Sequence, residues 1–434
     1  MISLQLKPLK GDVMLKKFFN IPNSIILFYI VAQIVCLFVF GYTPYPDSEG
    51  YIYLAKECLG EGTFYPADLT GIPFLWNIGA VNAVALSLYV TGSVLPLLIV
   101  YSIMQGLMAW LLYVIARELF NEKTALFALA LFVLYPANYA CGTSAHSEVP
   151  FIFFSLLAVF LSLKDRYFFA GVCFAIANYF RPMAVVFVLA LLLLMLYRRL
   201  RLQKYLYLLA GMFLVTVSIG VTNYVAKGKY FTQGAMGWMG LMQYSWDNDS
   251  DRQSDYILFG GNDPNVIDEE LRLDCLQRDS VWRSHFLIWL KNNKIEYVRQ
   301  MPEKVVRTYA SDNVGFCAFM SDKAEREYMY DEICMPTLLE DFPDWTPLQL
   351  LTVLNLVYYY CLLLFAMCGV AYGIRRKRIL GILLPTSVIL AGTAVLVLVG
   401  HGEARFHQPF MAMFIILAAY AIYETPKIHK KTRI

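Results

Sequence analysis

The sequence predicts an all-α polytopic membrane protein with about ten transmembrane helices and one mostly helical extracytoplasmic loop domain. Of the 434 residues, 59% are hydrophobic and only 16% are charged, whereas soluble domains average roughly 45–50% apolar and about 25% charged residues. The apolar runs are long and continuous, which is typical of membrane helices and not of the short alternating strands of a barrel. Basic clusters separate these runs, as expected for a chain that crosses the bilayer repeatedly.

The first crossing is predicted at Ile21–Tyr42, which is long enough to span a bilayer. It is longer than a signal-peptide core and lacks a small-residue cleavage site, so we expect a retained helix. The chain leaves this segment through Pro46-Asp47-Ser48-Glu49-Gly50-Tyr51, which begins a first outer loop over residues 43–80. Two carboxylates, Asp47 and Glu49, therefore lie where the chain emerges from the membrane.

Nine further apolar segments complete the predicted crossings. They are Val94–Ala116, Thr124–Ala140, Val149–Leu163, Tyr167–Phe180, Met183–Tyr197, Tyr205–Ala226, Trp345–Ile374, Ile379–Val399 and Phe406–Tyr423. The apolar stretch Ile72–Val90 would break the alternation of crossings if it spanned the bilayer, so we interpret it as juxtamembrane or re-entrant. The positive-inside rule assigns the basic clusters, such as Arg198–Lys204 and Arg375–Arg378, to the cytoplasmic side.

These crossings divide the chain into three predicted parts. Residues 1–226 form an N-terminal transmembrane module of about seven helices, residues 227–344 an extracytoplasmic loop domain, and residues 345–434 a C-terminal module of about three helices. Within the loop domain, the apolar periodicity predicts a helix over Val281–Gln300. Pro302 is expected to interrupt it, and Val305–Tyr309 to resume it.

The predicted topology brings polar residues from four separate turns to the outer face. Ionisable groups at a membrane boundary are costly unless they face a cavity or a partner, so they are candidates for function. These residues are Asp47, Glu49, His146, Glu148, Arg181, His401, Glu403, Arg405 and His407.

Each of these residues also has a purely structural interpretation. Asp47 or Ser48 would cap the helix that follows, and Glu148 would cap the N-terminus of its own helix. Arg181 would lie among lipid headgroups or pair with Glu148. His401 and His407 would serve as interfacial side chains. The convergence of four turns on one face favours the functional interpretation.

Several motifs, taken in order, resemble those of a known family. They are Pro46-Asp47-Ser48-Glu49-Gly50-Tyr51, Ser147-Glu148, Phe180-Arg181-Pro182, Phe286–Arg307 and Glu403-Ala404-Arg405-Phe406. Together they resemble the GT-C polytopic glycosyltransferases, and within them the superfamily of protein O-mannosyltransferases and aminoarabinose transferases (glycosyltransferase family 39-like). The sequence departs from the pattern of this superfamily in two ways. It has an Asp-Ser-Glu motif in place of adjacent acidic residues, and, unlike some relatives, it has no large soluble domain after the last predicted helix.

The resemblance implies an inverting glycosyltransferase that moves a sugar from a polyprenyl-phosphate-linked donor to an acceptor hydroxyl on the extracytoplasmic side. A phosphate leaves as an anion and needs no general acid, so one base suffices, and Asp47 is assigned that role. Glu49 or Glu148 would orient the acceptor or tune the base. The donor phosphate would contact Arg405 and Arg181, with Lys304 and Arg307 as weaker candidates. The substrate cavity would include Tyr51, His146, His401, Glu403 and His407.

Other functions stay open at this point. A flippase or transporter of lipid-linked saccharides would use the same outer cavity but should show repeats or broken helices with polar sites near the midplane, which are not evident in the sequence. A polymerase or ligase of such saccharides would share the topology and the donor class. The chemistry does not require a metal, although Asp47, Glu49, Glu148 and His146 could hold a divalent cation. The expected partners are the lipid-linked donor, a glycan, lipid or protein acceptor and the lipid bilayer of the inner or plasma membrane, with no role for nucleic acid.

Overall fold

The computed structural model describes residues 21–44, 46–70, 72, 74–235, 237–243, 273–312, 319, 343–400 and 402–424, in which the regular structure is helical. The α-helices are α1 (Ile21–Phe40), α2 (Pro46–Glu61), α3 (Ile78–Thr91), α4 (Leu95–Leu119), α5 (Glu122–Val133), α6 (Ala137–Ala140), α7 (Glu148–Leu163), α8 (Tyr167–Phe180), α9 (Ala184–Tyr197), α10 (Leu202–Lys227), α11 (Gly237–Gln243), α12 (Cys275–Asn292), α13 (Lys294–Tyr309), α14 (Pro347–Arg375), α15 (Ile379–Val399) and α16 (Gln408–Glu424). Short 3-10 turns lie at Cys141–Thr143 and Ala404–His407. The predicted fold class, an all-α polytopic membrane protein, is confirmed.

Six stretches are long and apolar enough to cross a membrane: α1, α4, α10, α14, α15, and α16 with the 3-10 turn before it. The pair α5 and α6 adds a bent seventh, and α7, α8 and α9 are apolar but shorter than an ordinary span. These segments coincide with the ten predicted crossings, but the full count stays a prediction for the three short helices. Helices α4 and α16 are buried along most of their length, whereas α1 and α10 are mostly exposed. The former make the core of the bundle and the latter its rim.

The predicted crossing Thr124–Ala140 is broken instead of continuous. Helices α5 and α6 meet at an angle of 59°, with Pro136 between them. Proline has no backbone N–H and disrupts a continuing helix, which accounts for the bend. The side chain of Asn355, on α14, accepts a hydrogen bond from the Ala137 N–H at 3.2 Å. A backbone donor beside the break is therefore satisfied inside the bundle.

The segment between α11 and α14 is helical over residues 275–309, but the break in it lies elsewhere than predicted. Pro302 lies inside the continuous helix α13, so the expected interruption there is wrong. The chain instead turns at Asn293, which ends α12 with a non-helical ψ of 34° and precedes α13. A proline removes one backbone hydrogen bond, and the packing of α13 against α15 and the turn after it outweighs that loss.

The basic helix ends that can be described lie together at one end of the bundle. Lys164 pairs with Glu118 at 2.7 Å and Lys204 with Asp165 at 2.6 Å. Phe120, just after α4, stacks on Tyr420 near the end of α16, with 4.3 Å between ring centroids. The end of α1 and the starts of α7 and α16 therefore lie at the opposite end, where the acidic exit of α1 is found.

Candidate active site

Asp47 and Arg405 form an ion pair that joins the two ends of the chain. Arg405 donates from Nη1 to Asp47 Oδ2 at 2.7 Å, across 358 residues of sequence. Asp47 lies in the first turn of α2, and Arg405 in the 3-10 turn before α16. The two side chains keep exposed fractions of 16% and 11%, so the pair lies at the edge of the interior. Glu403 approaches the same guanidinium, with Oε1 2.7 Å from Nε.

A second ion pair, between Glu148 and Arg181, is more deeply buried. Arg181 donates from Nη1 to Glu148 Oε1 at 2.6 Å, and the exposed side-chain fractions are 9% and 4% respectively. The pair belongs to a network in which Tyr51 donates to Ser147 at 3.4 Å, and Asn77 donates to Tyr51 at 2.8 Å. This arrangement matches the alternative in which Arg181 is the ion-pair partner of Glu148.

Phe406 and His146 link the two ion pairs. The guanidinium carbons of Arg181 and Arg405 lie 5.3 Å and 5.6 Å from the centroid of the Phe406 ring, within the range of cation–π contacts. His146 is buried and is influenced electrostatically by all four members of the two pairs. The carboxylates and guanidiniums from four turns therefore share one region.

The environment keeps His146 neutral. Burial lowers the pKa of His146 below its ordinary value, and the charges of Arg405 and Arg181 lower it further against the opposing effect of Glu148 and Asp47. The ring is uncharged at neutral pH and contributes polarity, not charge, to the site.

Three further predicted site residues have partners of their own, and two of them, Lys304 and Arg307, lie against Gly402, just before Glu403. Glu49 is exposed and accepts a hydrogen bond from Tyr42 at 2.5 Å. Arg307 pairs with Glu303 on the surface of α13 at 2.6 Å. The amino group of Lys304 is buried, lies 5.3 Å from the Tyr297 ring centroid and donates to the Val397 carbonyl at 3.4 Å. His401 lies outside the described residues.

His407 lies behind the site and not in an open cavity. Its ring is fully buried, with Nδ1 2.7 Å from the Thr308 carbonyl oxygen and Nε2 2.9 Å from Asp312 Oδ1. Asp312 also accepts hydrogen bonds from Tyr135 and from Asn355. Sequence reasoning missed Asp312, Asn355, Tyr135 and Asn77. The one available signal was that a histidine beside a membrane helix needs partners.

The geometry does not gather the residues proposed for a divalent cation. Among the described residues, no group of three or more histidine, cysteine, aspartate or glutamate side chains is close enough to hold a metal ion. Asp47 and Glu148 each face an arginine, and Glu49 faces Tyr42. These carboxylates are compensated by cationic or hydroxyl donors.

Comparison with known proteins gives one family match. Residues 79–221 match the model of a family described as dolichyl-phosphate-mannose-protein mannosyltransferase. The match begins in α3 and ends in α10, so it includes Glu148 and Arg181 but not Asp47 or Arg405. A search of curated proteins found no match. Over these residues, about a third of the chain, the protein is similar to that family, and the all-helical membrane fold agrees with the resemblance to GT-C polytopic glycosyltransferases.

Proposed function

We propose that this protein transfers a sugar from a polyprenyl-phosphate-linked donor to an acceptor hydroxyl on the extracytoplasmic side, with inversion and with Asp47 as general base. The observation that carries the proposal is the Asp47–Arg405 ion pair. It sets a carboxylate that can take a proton beside a guanidinium that can bind a phosphate, at the end of the bundle away from the basic helix ends. One base and one anion-binding cation are the minimum that this transfer needs.

Arg405 is the leading candidate for binding the donor phosphate. Guanidinium groups bind phosphate through two parallel hydrogen bonds, and Arg405 already contacts two anionic groups, the carboxylates of Asp47 and Glu403. A phosphate that takes over part of these hydrogen bonds would free the Asp47 carboxylate to accept the proton of the acceptor hydroxyl. Donor binding would therefore prepare the base for the next step.

The transfer then needs few steps. The acceptor oxygen attacks the anomeric carbon while its proton moves to Asp47. The bond between that carbon and the phosphate oxygen breaks, and the electron pair leaves with the polyprenyl phosphate. Arg405, with Arg181 nearby across Phe406, stabilises the negative charge that develops on the phosphate. Attack opposite to the leaving group gives inversion at the anomeric carbon.

Glu148 has a supporting role in this proposal. Its buried pairing with Arg181 holds a second positive charge near Phe406 and orders the network of Ser147 and Tyr51. The tyrosine and serine hydroxyls can orient the acceptor. Lys304 and Arg307, which lie against Gly402 just before the turn that carries Arg405, would contribute to donor binding through the local positive potential.

The distribution of charge supports an extracytoplasmic site in the inner or plasma membrane. The basic helix ends, which the positive-inside rule assigns to the cytoplasm, lie at the end of the bundle opposite the site. The donor's lipid tail would stay in the bilayer while its phosphate reaches Arg405.

The test is a transfer assay with purified protein and several polyprenyl-phosphate sugars, in which released polyprenyl phosphate and the anomeric configuration of the product are measured. We expect Asp47→Asn to lower the rate about a hundredfold or more, because a general base contributes at least that much. Glu57→Gln, an exposed carboxylate on the same helix, is the matched control and should retain full rate.

Three outcomes would contradict the proposal. A folded Asp47→Asn variant with full activity would remove Asp47 as the base, and a product with retained configuration would exclude a single displacement. If wild-type protein moves the lipid-linked sugar across vesicle membranes without releasing polyprenyl phosphate, the transporter alternative would replace the enzyme.

A further inference from the structure

We propose that His407 is a protonated imidazolium at neutral pH, paired with the Asp312 carboxylate. This pair positions Arg405 because it holds the turn that contains Arg405 and His407 against the end of helix α13. His407 and Asp312 touch neither the Asp47–Arg405 pair nor the Glu148–Arg181 pair in the described contacts. They are therefore positioning residues and not catalytic ones.

The proton count follows from the hydrogen bonds of the ring. Nδ1 lies 2.7 Å from the Thr308 carbonyl oxygen, which can only accept, so Nδ1 must carry a hydrogen. Nε2 lies 2.9 Å from Asp312 Oδ1. Either Nε2 donates to a carboxylate, or a protonated carboxyl donates to Nε2. In both cases the pair holds one proton more than a neutral histidine beside an ionised aspartate.

Two further contacts favour the charge-separated form. Thr308 is the penultimate residue of α13, so its carbonyl is among the last four of the helix, where a positive charge is stabilised by the helix dipole. Asp312 accepts additional hydrogen bonds from Tyr135 and, at 3.0 Å, from Asn355, and such donors stabilise an ionised carboxylate. The proton therefore belongs on the imidazole.

The surroundings hold the pair rigidly. The His407 ring stacks on Tyr359 at 4.9 Å and on Tyr309 at 5.9 Å between centroids. His407 is fully buried and Asp312 almost so. Asn355 lies on α14, and Tyr135 lies at the bend between α5 and α6. The pair therefore connects these two elements and the turn before α16 to helix α13. Among the residues that the structure describes, the other titratable groups around the pair are Tyr135, Cys141, Tyr309, Tyr359 and, two residues away, Arg405.

The same turn carries Arg405. The 3-10 helix Ala404–His407 is anchored at its end by His407 and at its start by Gly402, where an added Cβ would lie 2.8 Å from the Lys304 carbonyl oxygen. Both anchors contact α13. A shift of about 1 Å in a positioned group can lower a rate about a hundredfold, so the anchoring of this turn determines whether Arg405 meets the donor phosphate.

The first test measures protonation directly by ¹⁵N solid-state NMR of histidine-labelled protein in lipid. The chain has five histidines, and solvent-exposed ones are neutral at pH 8. We expect one imidazolium signal at pH 8, which disappears in His407→Gln. In Asp312→Asn the ring should become neutral with its proton on Nδ1, because the asparagine amide then donates to Nε2. A neutral His407 ring in the wild-type protein would overturn the inference.

The second test asks whether His407 acts through Arg405, and it rests on the proposed function. His407→Phe keeps the aromatic stacking but loses both hydrogen bonds, so we expect the KM for the polyprenyl-phosphate sugar to rise at least tenfold. The double variant with His407→Phe and Arg405→Lys should have a KM little higher than that of Arg405→Lys alone. Both changes impair the same interaction, that between residue 405 and the donor phosphate. Asp312→Asn, which preserves the bonds, should retain more transfer than Asp312→Leu.

The outcomes of the two tests are separable. Additive effects of His407→Phe and Arg405→Lys would overturn the positioning role, even with an imidazolium present. If Asp47→Asn is fully active while the imidazolium signal is observed, the proposed function fails and the protonated pair stands.

Discussion

Single residues at the end of the bundle that holds the candidate site carry buried charges, which are costly unless they are paired. Arg181 and Glu148 are more than nine-tenths buried and compensate each other at 2.6 Å. A buried ion pair adds little net stability compared with an apolar pair, but removal of one partner leaves an uncompensated charge. The side chain of Asp47 is 16% exposed and that of Glu148 is 4% exposed, whereas the two arginines are almost equally buried. Asp47 is therefore the more accessible of the two carboxylates, as the proposed base must be.

Removal of one member of the buried pair should therefore be costly. We expect Glu148→Gln to lower the free energy of unfolding by about 3–5 kcal/mol, because Arg181 would remain buried without its counter-charge. Glu303→Gln is the matched control, since Glu303 and Arg307 are half-exposed and such pairs are worth less than about 1 kcal/mol. Thermal unfolding of the purified variants in detergent measures both. Equal losses in the two variants would contradict this account.

Lys304 gives a pH-dependent prediction. Burial lowers its pKa to about 8, whereas an unfolded lysine titrates near 10.4. Between these values the unfolded chain binds the proton and the folded protein does not, so the contribution of Lys304 makes the free energy of unfolding rise with pH. Below pH 8 both states are protonated and the burial cost is constant.

Replacement of this lysine should remove that dependence. We expect Lys304→Met to be more stable than wild type at pH 7, with a difference that shrinks between pH 8 and pH 10. Unfolding midpoints at pH 7 and pH 9.5 measure it, and Lys291→Met, which alters an exposed lysine, should show no such trend. If Lys304→Met and wild type differ in stability by the same amount at both pH values, the difference does not arise from the lowered pKa of Lys304.

At the scale of elements, close helix contacts hold the short apolar helices in place. Helices α8 and α10 approach each other through two glycines. A Cβ on Gly171 would lie 2.0 Å from the Leu208 carbonyl oxygen, and one on Gly211 would lie 2.1 Å from that of Phe168. Small residues at such crossings let backbones pack directly, which is a common source of helix association in membranes. Helix α8 ends at Phe180, so this contact also sets the position of Arg181.

We expect Gly171→Ala to destabilise the protein by about 1–3 kcal/mol, because the methyl group would overlap backbone atoms that cannot move independently. The control is Gly60→Ala in α2, where an added Cβ meets no atom within 4 Å. That change should be neutral or slightly stabilising, since alanine favours helix. Thermal unfolding compares the two, and a Gly171→Ala variant as stable as wild type would mean that α8 and α10 separate without cost.

At the scale of the whole molecule, the ends of the bundle differ in charge and chemistry. One end holds the described basic clusters and their surface ion pairs, and the other holds the two ion pairs of the candidate site. The outer helices α12 and α13 reach this second end, where Tyr297 donates to the Leu398 carbonyl at 2.5 Å. The molecule is therefore polarised along the axis of its crossings, as the positive-inside rule anticipates.

This polarity is testable by labelling in intact cells. We expect Glu57→Cys, exposed on α2, to react with a membrane-impermeant maleimide, and Arg376→Cys, exposed after α14, to react only after the membrane is opened. Labelling of the parent chain, which contains nine cysteines, is subtracted from both. The reverse pattern would move the site to the cytoplasmic face and contradict the proposed sidedness.

The sequence by itself determined the class of the protein and the places where its polar turns occur. Hydropathy and the spacing of basic residues are properties of the chain in one dimension, so they predicted the helical membrane fold and the segments that cross. Local signals were weaker guides within elements. Pro136 bends a predicted crossing that looked continuous, and Pro302 lies inside a helix that it was expected to interrupt.

Only the tertiary structure decided which charges meet. Asp47 pairs with Arg405 across 358 residues, Glu148 pairs with Arg181, and His407 contacts Asp312 in the loop before α14. Charged groups near a membrane must find compensation, but several partners of each sign were available on the same face. The packing of the helices selects among them, because it brings particular turns to within 3 Å of one another, and no pattern along the chain encodes that choice directly.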